Sequence, residues 1–399
     1  MFRVVKLIKL LNDLAILYYL CGHSGQCAWY HKMAVSEHLY MKVSEQQRLT
    51  AGEALDLWNE APLAMLVRLA DTVRRRLHND NHVGWMIDRN VNITNICFSQ
   101  CRFCNFCRTS KSDDAYVTTD GEYDIKIREM ISLGGDQLLL QGGMNPALDL
   151  DYYTGLFRGL KERWPQIKLH ALGPPEIVYL AEKAKMTYRE VLVALNDAGL
   201  DSLPGAGAEI LVDRVRKKVS PVKATTNEWL GVMREAHRLN LPTSATMMFG
   251  HAETVPERIE HLIRLRELQD EKPEGHYGFI TFIPWPFMDR GTPLADKDGI
   301  RSSVTAADYL RVVALSRLVL DNIPNIQSSI LTVGRDTAMI SLHGGANDLG
   351  SVMIEENVVS AAGDAFRVNP EEMKQIIRDA GFIPVRRDQR YIAVGRPGE

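Results

Sequence analysis

From about residue 50 the chain alternates between two hydrophobic periods. Residues 50–78, "TAGEALDLWNEAPLAMLVRLADTVRRRLH", place apolar side chains three and four apart, with Thr50 or Gly52 as the start and Pro62 as a divider, and so predict two helices. "VNITNIC" (91–97) then reads as a β-branched strand, and strand-like runs recur at 136–141, 167–172, 199–204, 243–249, 279–284 and 326–332. Helical patterns separate them. Seven such strands, with an eighth in "TAMISLHG" (337–344) or "GSVMIEENV" (350–358), predict an α/β fold: a closed, eight-stranded (β/α) barrel with N-terminal helices. The domain reading places an extension outside the fold at 1–44 and helices at 45–85. The barrel then spans 86–365, and a C-terminal helix–strand segment packed on it spans 366–399. Met33 and Met41 are alternative starts, and a surface-lying amphipathic helix is the other reading of the extension.

Composition narrows the class. Hydrophobic residues make up 45% and charged residues 24%, the balance of a soluble globular protein, and no run approaches the ~20 apolar residues of a membrane span. Stable membrane insertion is not expected. A formal charge of -3 gives no basic footprint for nucleic acid, so the expected partner is a small molecule. Four of the six cysteines fall within residues 97–107, a poor disulfide framework but a plausible metal site in a reducing compartment, which points to the cytoplasm.

In a (β/α) barrel the chemistry sits at the C-terminal ends of the strands. Glycine-rich and polar turns follow the expected strands at 141–143 (QGG), 204–209 (PGAGAE), 250–254 (GHAET), 284–292 (PWPFMDRGT) and 344–351 (GGANDLGS). Cys97, Cys101 and Cys104 follow the first strand. A structural zinc site wants a second Cys or His pair, and none follows at the usual spacing; soft thiolates on a short loop also suit an iron–sulfur cluster.

The spacing Cys97-x3-Cys101-x2-Cys104, with Phe103 just before the last cysteine, resembles the signature of the radical S-adenosylmethionine (SAM) enzymes. The resemblance implies a [4Fe–4S] cluster on these three thiolates and SAM on the open iron. It also implies an electron donor such as flavodoxin or ferredoxin, and a 5′-deoxyadenosyl radical released by cleavage of SAM. Longer segments, among them "DRNVNITNIC", "GGDQLLLQGG" and "GLDSLPGAGAEILVDRVR", are similar to the cyclases of the futalosine route to menaquinone, and coverage runs from about residue 45 to the C-terminus. Aminofutalosine synthases and the synthases of a deazaflavin chromophore share the pattern. A nucleoside-derived substrate is implied, with hydrogen taken from its ribose C4′ and the resulting radical attacking a benzoate ring.

Candidate residues are assigned around that chemistry. Phe103, Gln141, Gly142 and Gly143 are expected at the cofactor, with Glu209 on its ribose or amino group and Arg214 or Arg216 on its carboxylate. His251, Glu253 and Asp289 are the catalytic candidates, His251 as the group that accepts or relays the final proton. Thr246, Trp285, Arg290, Asn347 and Asp348 are expected at the substrate. Each has a structural alternative: a surface ion pair for the arginines, a satisfied core histidine for His251, a helix cap for Asn347 and Asp348.

Cys107 stands where related sequences carry an aromatic residue, and is read as a small, partly buried thiol outside the ligand set. Cys107→Tyr should therefore leave iron and sulfide content and SAM cleavage intact, measured on anaerobically purified protein. Loss of either would overturn the three-plus-one division.

Overall fold

Eight strand positions close into a ring in the computed structural model, which describes residues 38–355, 357 and 366–398. The first position is one long extended segment broken at Ile87 into β1 (His82–Met86) and β2 (Asp88–Asn92). Around the ring follow β3 (Gln137–Gln141), β4 (Lys168–Ala171), β5 (Thr243–Phe249), β6 (Phe279–Pro286), β7 (Asn325–Ile326) and β8 (Asp348–Ser351). Every ladder between them is parallel. The fourth position, between β4 and β5, consists of isolated bridges from Ser202 to His170 and from Leu203 to Thr243. A bridge from Gln327 to Asp348 joins β7 to β8, and β8 pairs back with β1, so no edge remains open.

Several elements differ from the sequence expectation. "TAMISLHG" lies largely within a helix, Ile330–Leu342, and the eighth strand is β8. The seventh strand stops at Ile326 because the apolar residues after it bury at helical spacing, and a short apolar run carries no periodicity that separates the two states. The assigned boundary at residue 86 cuts off β1, which is a barrel strand. Residues 38–44, assigned to the extension, are helical and bury Leu39 and Val43 in the core. Residues 1–37, with Cys21, Cys27 and Met33, lie outside the described residues.

The two predicted helices are Ala51–Glu60 and Leu63–Leu77, and the second packs on helix Ala306–Val319 through Leu66, Leu69 and Ala70. Helix starts are fixed by a recurring device. Thr50 with Glu53, Thr119 with Glu122, Thr187 with Glu190, Thr225 with Glu228, and Thr305 with Asp308 form reciprocal capping boxes. Each N-cap is worth about 1 kcal/mol.

The C-terminal segment seals the barrel floor. After helix Pro370–Asp379, β9 (Ile383–Arg386) adds a parallel strand to β1, and the next residue, Arg387, grips Asp348 with two hydrogen bonds of 2.5 and 2.8 Å. Its guanidinium also lies 3.7 Å from the centre of the Tyr391 ring. Gly84 is obligatory beside this pair, since a Cβ there would fall 2.1 Å from Asp348 Oδ2. Asn347 is likewise consumed: its Oδ1 accepts from Arg317 at 2.8 Å and from Ile326 N–H at 2.9 Å, while its Nδ2 donates to Asn325 at 2.8 Å. Both residues stand at or just before the start of β8 rather than at the mouth, so the substrate roles expected for Asn347 and Asp348 are corrected to structural ones. Arg387→Met would leave Asp348 an uncompensated buried charge and lower stability by about 3–5 kcal/mol. An unchanged urea-unfolding midpoint would refute this.

Candidate active site

Strand alternation decides what faces inward. Asp88, Asn90 and Asn92 of β2, and Gln137, Leu139 and Gln141 of β3, line an interior cavity of about 390 Å³, whereas Val91, Leu138 and Leu140 pack into the core around it. The cavity runs from the cysteine loop, beyond the C-terminal ends of the strands, down to Asp88, Gln137 and Arg387 at the floor.

The cysteine loop lies directly on the QGG turn. Gly143 N–H donates to Thr94 O at 2.7 Å, and Phe98 N–H to Met144 O at 3.1 Å. A Cβ on Gly143 would sit 2.2 Å from Ile96 O and one on Gly142 2.9 Å from Thr94 O, so only glycine lets the backbones approach this closely. Cys97, Cys101, Cys104 and Cys107 all line the cavity. The Ser99 hydroxyl bridges two of them, 3.3 Å from Cys97 Sγ and 3.2 Å from Cys101 Sγ. The Cys107 thiol first, and then Ser99 and the Met144 N–H at 3.3 Å, stabilise the Cys97 thiolate and draw its pKa well below that of a free thiol. Burial pushes Cys101 up to about 11 against the pull of Lys223. Cys107 is different: its hydrogen bond to Cys97, whose carbonyl also lies 3.2 Å from its sulfur, keeps it protonated.

Among the described residues, no group of three or more His, Cys, Asp or Glu side chains converges on a single metal ion, as a zinc site requires. Thiols from one short loop, each lining the cavity, suit a polynuclear cluster whose irons each take one thiolate.

Beside the thiols lies a buried charge cluster. Burial disfavours the Glu209 carboxylate, but Lys223 Nζ at 3.0 Å and Arg216 at 3.5 Å outweigh it and hold its pKa below the ordinary range. Lys223 stands 5.3 Å from the Phe103 ring centre and, despite burial, is held firmly charged by Cys101 and Glu209. Glu176, near the start of helix Pro174–Ala184, lines the same wall, and burial raises its pKa to about 7 against the effect of Lys223.

The structure gathers Phe103, Gln141, Gly142, Gly143, Glu209, Thr246 and Trp285 on the cavity wall together with Cys97, Cys101 and Cys104. The Thr246 hydroxyl is spent on Gly205 O at 2.6 Å. Six other candidates are corrected. Arg216 is saturated by the carbonyls of Gly207, Ala208 and Ala224, and Arg214 points outward to Glu257. His251 uses both ring nitrogens: Nδ1 accepts from Ala252 N–H at 2.7 Å and Nε2 donates to Met248 O at 2.9 Å, so it has no site left for a substrate proton. Glu253 accepts from the N–H groups of Gly250 and His251 and from Arg258, bracing that turn. Asp289 accepts from Ser302 N–H, and exposed Arg290 stands outside the cavity lining.

Sequence reading missed Lys223, Glu176 and the floor residues Asp88, Asn90, Gln137, His170 and Gln389. A signal existed for part of this set. In "DRNVN" polar side chains recur at every second position of a strand, the period that turns one face into a barrel.

Two family models match the chain: the radical SAM superfamily over residues 91–265 and the CofH/MqnC C-terminal region over 276–398. The cyclic dehypoxanthine futalosine synthase of Halalkalibacterium halodurans is 42% identical over 345 residues, 86% of this chain and 91% of that protein. The aminodeoxyfutalosine synthase of Thermus thermophilus is 39% identical over 88% of this chain and 93% of its own length. The 5-amino-6-(D-ribitylamino)uracil–L-tyrosine 4-hydroxyphenyl transferase of Methanothermobacter thermautotrophicus is also 39% identical, over 86% and 94%. The chain belongs to the radical SAM superfamily, and its cofactors are a [4Fe–4S] cluster and SAM. Two solved structures share the fold. Methylornithine synthase (PylB) has a TM-score of 0.64 at 20% identity, covering 86% of this chain and 95% of its own; the hydrogenase maturase HydG has 0.69 at 15%, covering 94% and 79%.

Glu176 gives a pH test. Its pKa of about 7 in the folded protein exceeds the ~4.3 of an unfolded glutamate, so folding favours the protonated form. The stability it contributes is full below the lower value and is lost as pH rises through the upper one. Relative to the native protein, Glu176→Gln should therefore gain stability between about pH 5 and about pH 8, measured by urea midpoints on ligand-free protein. A parallel pH dependence of the two proteins would refute it.

Proposed function

We propose that this enzyme converts dehypoxanthine futalosine to cyclic dehypoxanthine futalosine on a route to menaquinone, working in the cytoplasm with a small reductant such as flavodoxin or ferredoxin. One observation carries the reading: a single cavity joins the cysteine loop to an apolar and aromatic face and to polar groups deeper in the barrel, which suits a ligand with an aromatic ring at one part and a sugar at another. The 42% identity to a synthase of that name supports the choice of substrate.

Cys97, Cys101 and Cys104 would hold the cluster, and Phe103, the QGG turn and Glu209, which line the cavity beside them, would hold SAM. When bound, these cofactors supply a 5′-deoxyadenosyl radical competent to take hydrogen from the ribose C4′. The chain's own task is placement. Trp285, with Ile283 two residues before it on β6, offers the face on which a benzoate ring packs. Lys223, rather than Arg214 or Arg216, is the cation beside the cysteine loop that can face a carboxylate while it holds Glu209. Holding C4′ and the ring together in a site shielded from water favours ring attack over escape of the radical. Among the described residues no helix is long and apolar enough to cross a bilayer.

Reduced, reconstituted protein incubated with SAM and dehypoxanthine futalosine should release 5′-deoxyadenosine and a product lighter than the substrate by two hydrogens, read by mass spectrometry. If 5′-deoxyadenosine forms only with another substrate, such as tyrosine with a ribitylaminouracil, the assignment fails.

A further inference from the structure

The cavity floor carries buried polar atoms that no protein group satisfies. Asp88 Oδ1, Asn90 Oδ1, Gln137 Oε1 and Gln389 Nε2 make no hydrogen bond, although all four residues are more than nine-tenths buried and all line the cavity. Folded proteins keep few such atoms, because an unpaired buried donor or acceptor has lost its water without compensation. Four at one end of one cavity call for a ligand.

Their geometry says which kind. Asp88 and Gln137 are register partners at the starts of β2 and β3, and Gln137 Nε2 donates to Asp88 Oδ2 at 3.2 Å, which fixes both side chains and leaves one oxygen of each unpaired. Another part of the lining carries a relay: Ser202 Oγ donates to Gln389 Oε1 at 2.8 Å, and His170 Nδ1 lies 2.6 Å from Ser202 Oγ. Serine has one proton and Gln389 Oε1 can only accept, so His170 Nδ1 is the donor to serine. Burial keeps this histidine neutral, with a pKa of about 4, and its Nε2 is therefore a bare acceptor. Asn90 Oδ1, Gln137 Oε1 and His170 Nε2 accept, and Gln389 Nε2 donates. Burial favours the neutral form of Asp88, whose carboxyl then both donates and accepts. Arg387, the cation on this floor, spends its donors on Asp348, the Met86 sulfur and the Asp388 carbonyl, so a carboxylate ligand, which only accepts, mismatches the set that remains; hydroxyl groups, which donate and accept at one atom, match it.

We propose that the lining formed by Asp88, Asn90, Gln137, His170 and Gln389 is a vicinal-diol subsite that binds the sugar hydroxyls of the substrate, leaving its carboxylated ring to the apolar face at Trp285 and Ile283. The identity of the sugar as the ribose of dehypoxanthine futalosine rests on the function proposed above; the diol chemistry does not.

The test is binding of dehypoxanthine futalosine and of an analogue lacking one ribose hydroxyl to the reconstituted holoenzyme with SAM, by anaerobic calorimetry, in native, Asn90→Leu and Gln137→Met proteins. Cluster absorbance and SAM affinity serve as controls. The native protein should prefer the full substrate over the analogue at least tenfold, and each variant should lose most of that preference while retaining its cluster. Ligand-free Asn90→Leu should melt no lower than native, because the substitution removes an unpaired polar atom. Equal affinity of the native protein for substrate and analogue, unchanged discrimination in both variants, or marked destabilisation of Asn90→Leu would each overturn the subsite. If the native protein binds dehypoxanthine futalosine and the variants are indifferent, the subsite falls and the proposed function stands. If it ignores that compound but binds a ribityl-bearing one with the same loss in the variants, the function falls and the subsite stands.

Discussion

The buried pairing of Arg387 with Asp348 decides which end of this barrel is open. A carboxylate inside a strand ring is tolerable only when a cation reaches it, and the cation arrives from a segment that follows the last barrel strand by some thirty-five residues. With β9 laid along β1 and Arg387 turned inward, the floor is shut, so ligands and cofactors must share the cysteine end. The separate family match over residues 276–398 therefore marks a part of the fold on which the interior depends, not an appendage.

Above that floor the cavity is graded. The mouth holds thiols and a charged Lys223–Glu209 pair, Trp285 and Ile283 give one side an apolar face, and the bottom offers neutral hydrogen-bonding groups beside the paired Arg387. The cation that reaches the bottom, Arg387, is paired with Asp348, because an isolated ion deep in a low-dielectric interior would be far costlier than amides or a neutral imidazole. The glycine turn sets the depth of the mouth, since the cysteine loop can sit only as low as Gly142 and Gly143 allow.

Much of this was legible in the sequence, and the divide follows physical lines. The strand–helix alternation gave the barrel, and short-range spacing gave the Cys97–Cys104 loop and the QGG turn, because both are fixed by neighbours in sequence. Arg216, His251 and Asn347 could not be read correctly, since their partners (the Ala224 carbonyl, the Met248 carbonyl and Arg317) are chosen by local folding of loops or by distant chain. Lys223 had no motif to mark it, as it reaches the site only because the turn before helix Thr226–Arg238 folds back under the cysteine loop. Gln389 was invisible for a similar reason: it belongs to the interior only after the C-terminal segment has docked.

The reciprocal Thr/Glu and Thr/Asp pairs that start the helices carry a last consequence. Helices of a (β/α) barrel begin on the same side as the reacting groups, so most of these boxes stand at the rim, where each helix is anchored by its own first turn instead of by the loop leading into it. A rim loop can then change length or composition without unravelling the helix behind it. That separation of scaffold from chemistry gives a lineage room to diversify, and proteins of about 40% identity to this chain bear names describing three different products.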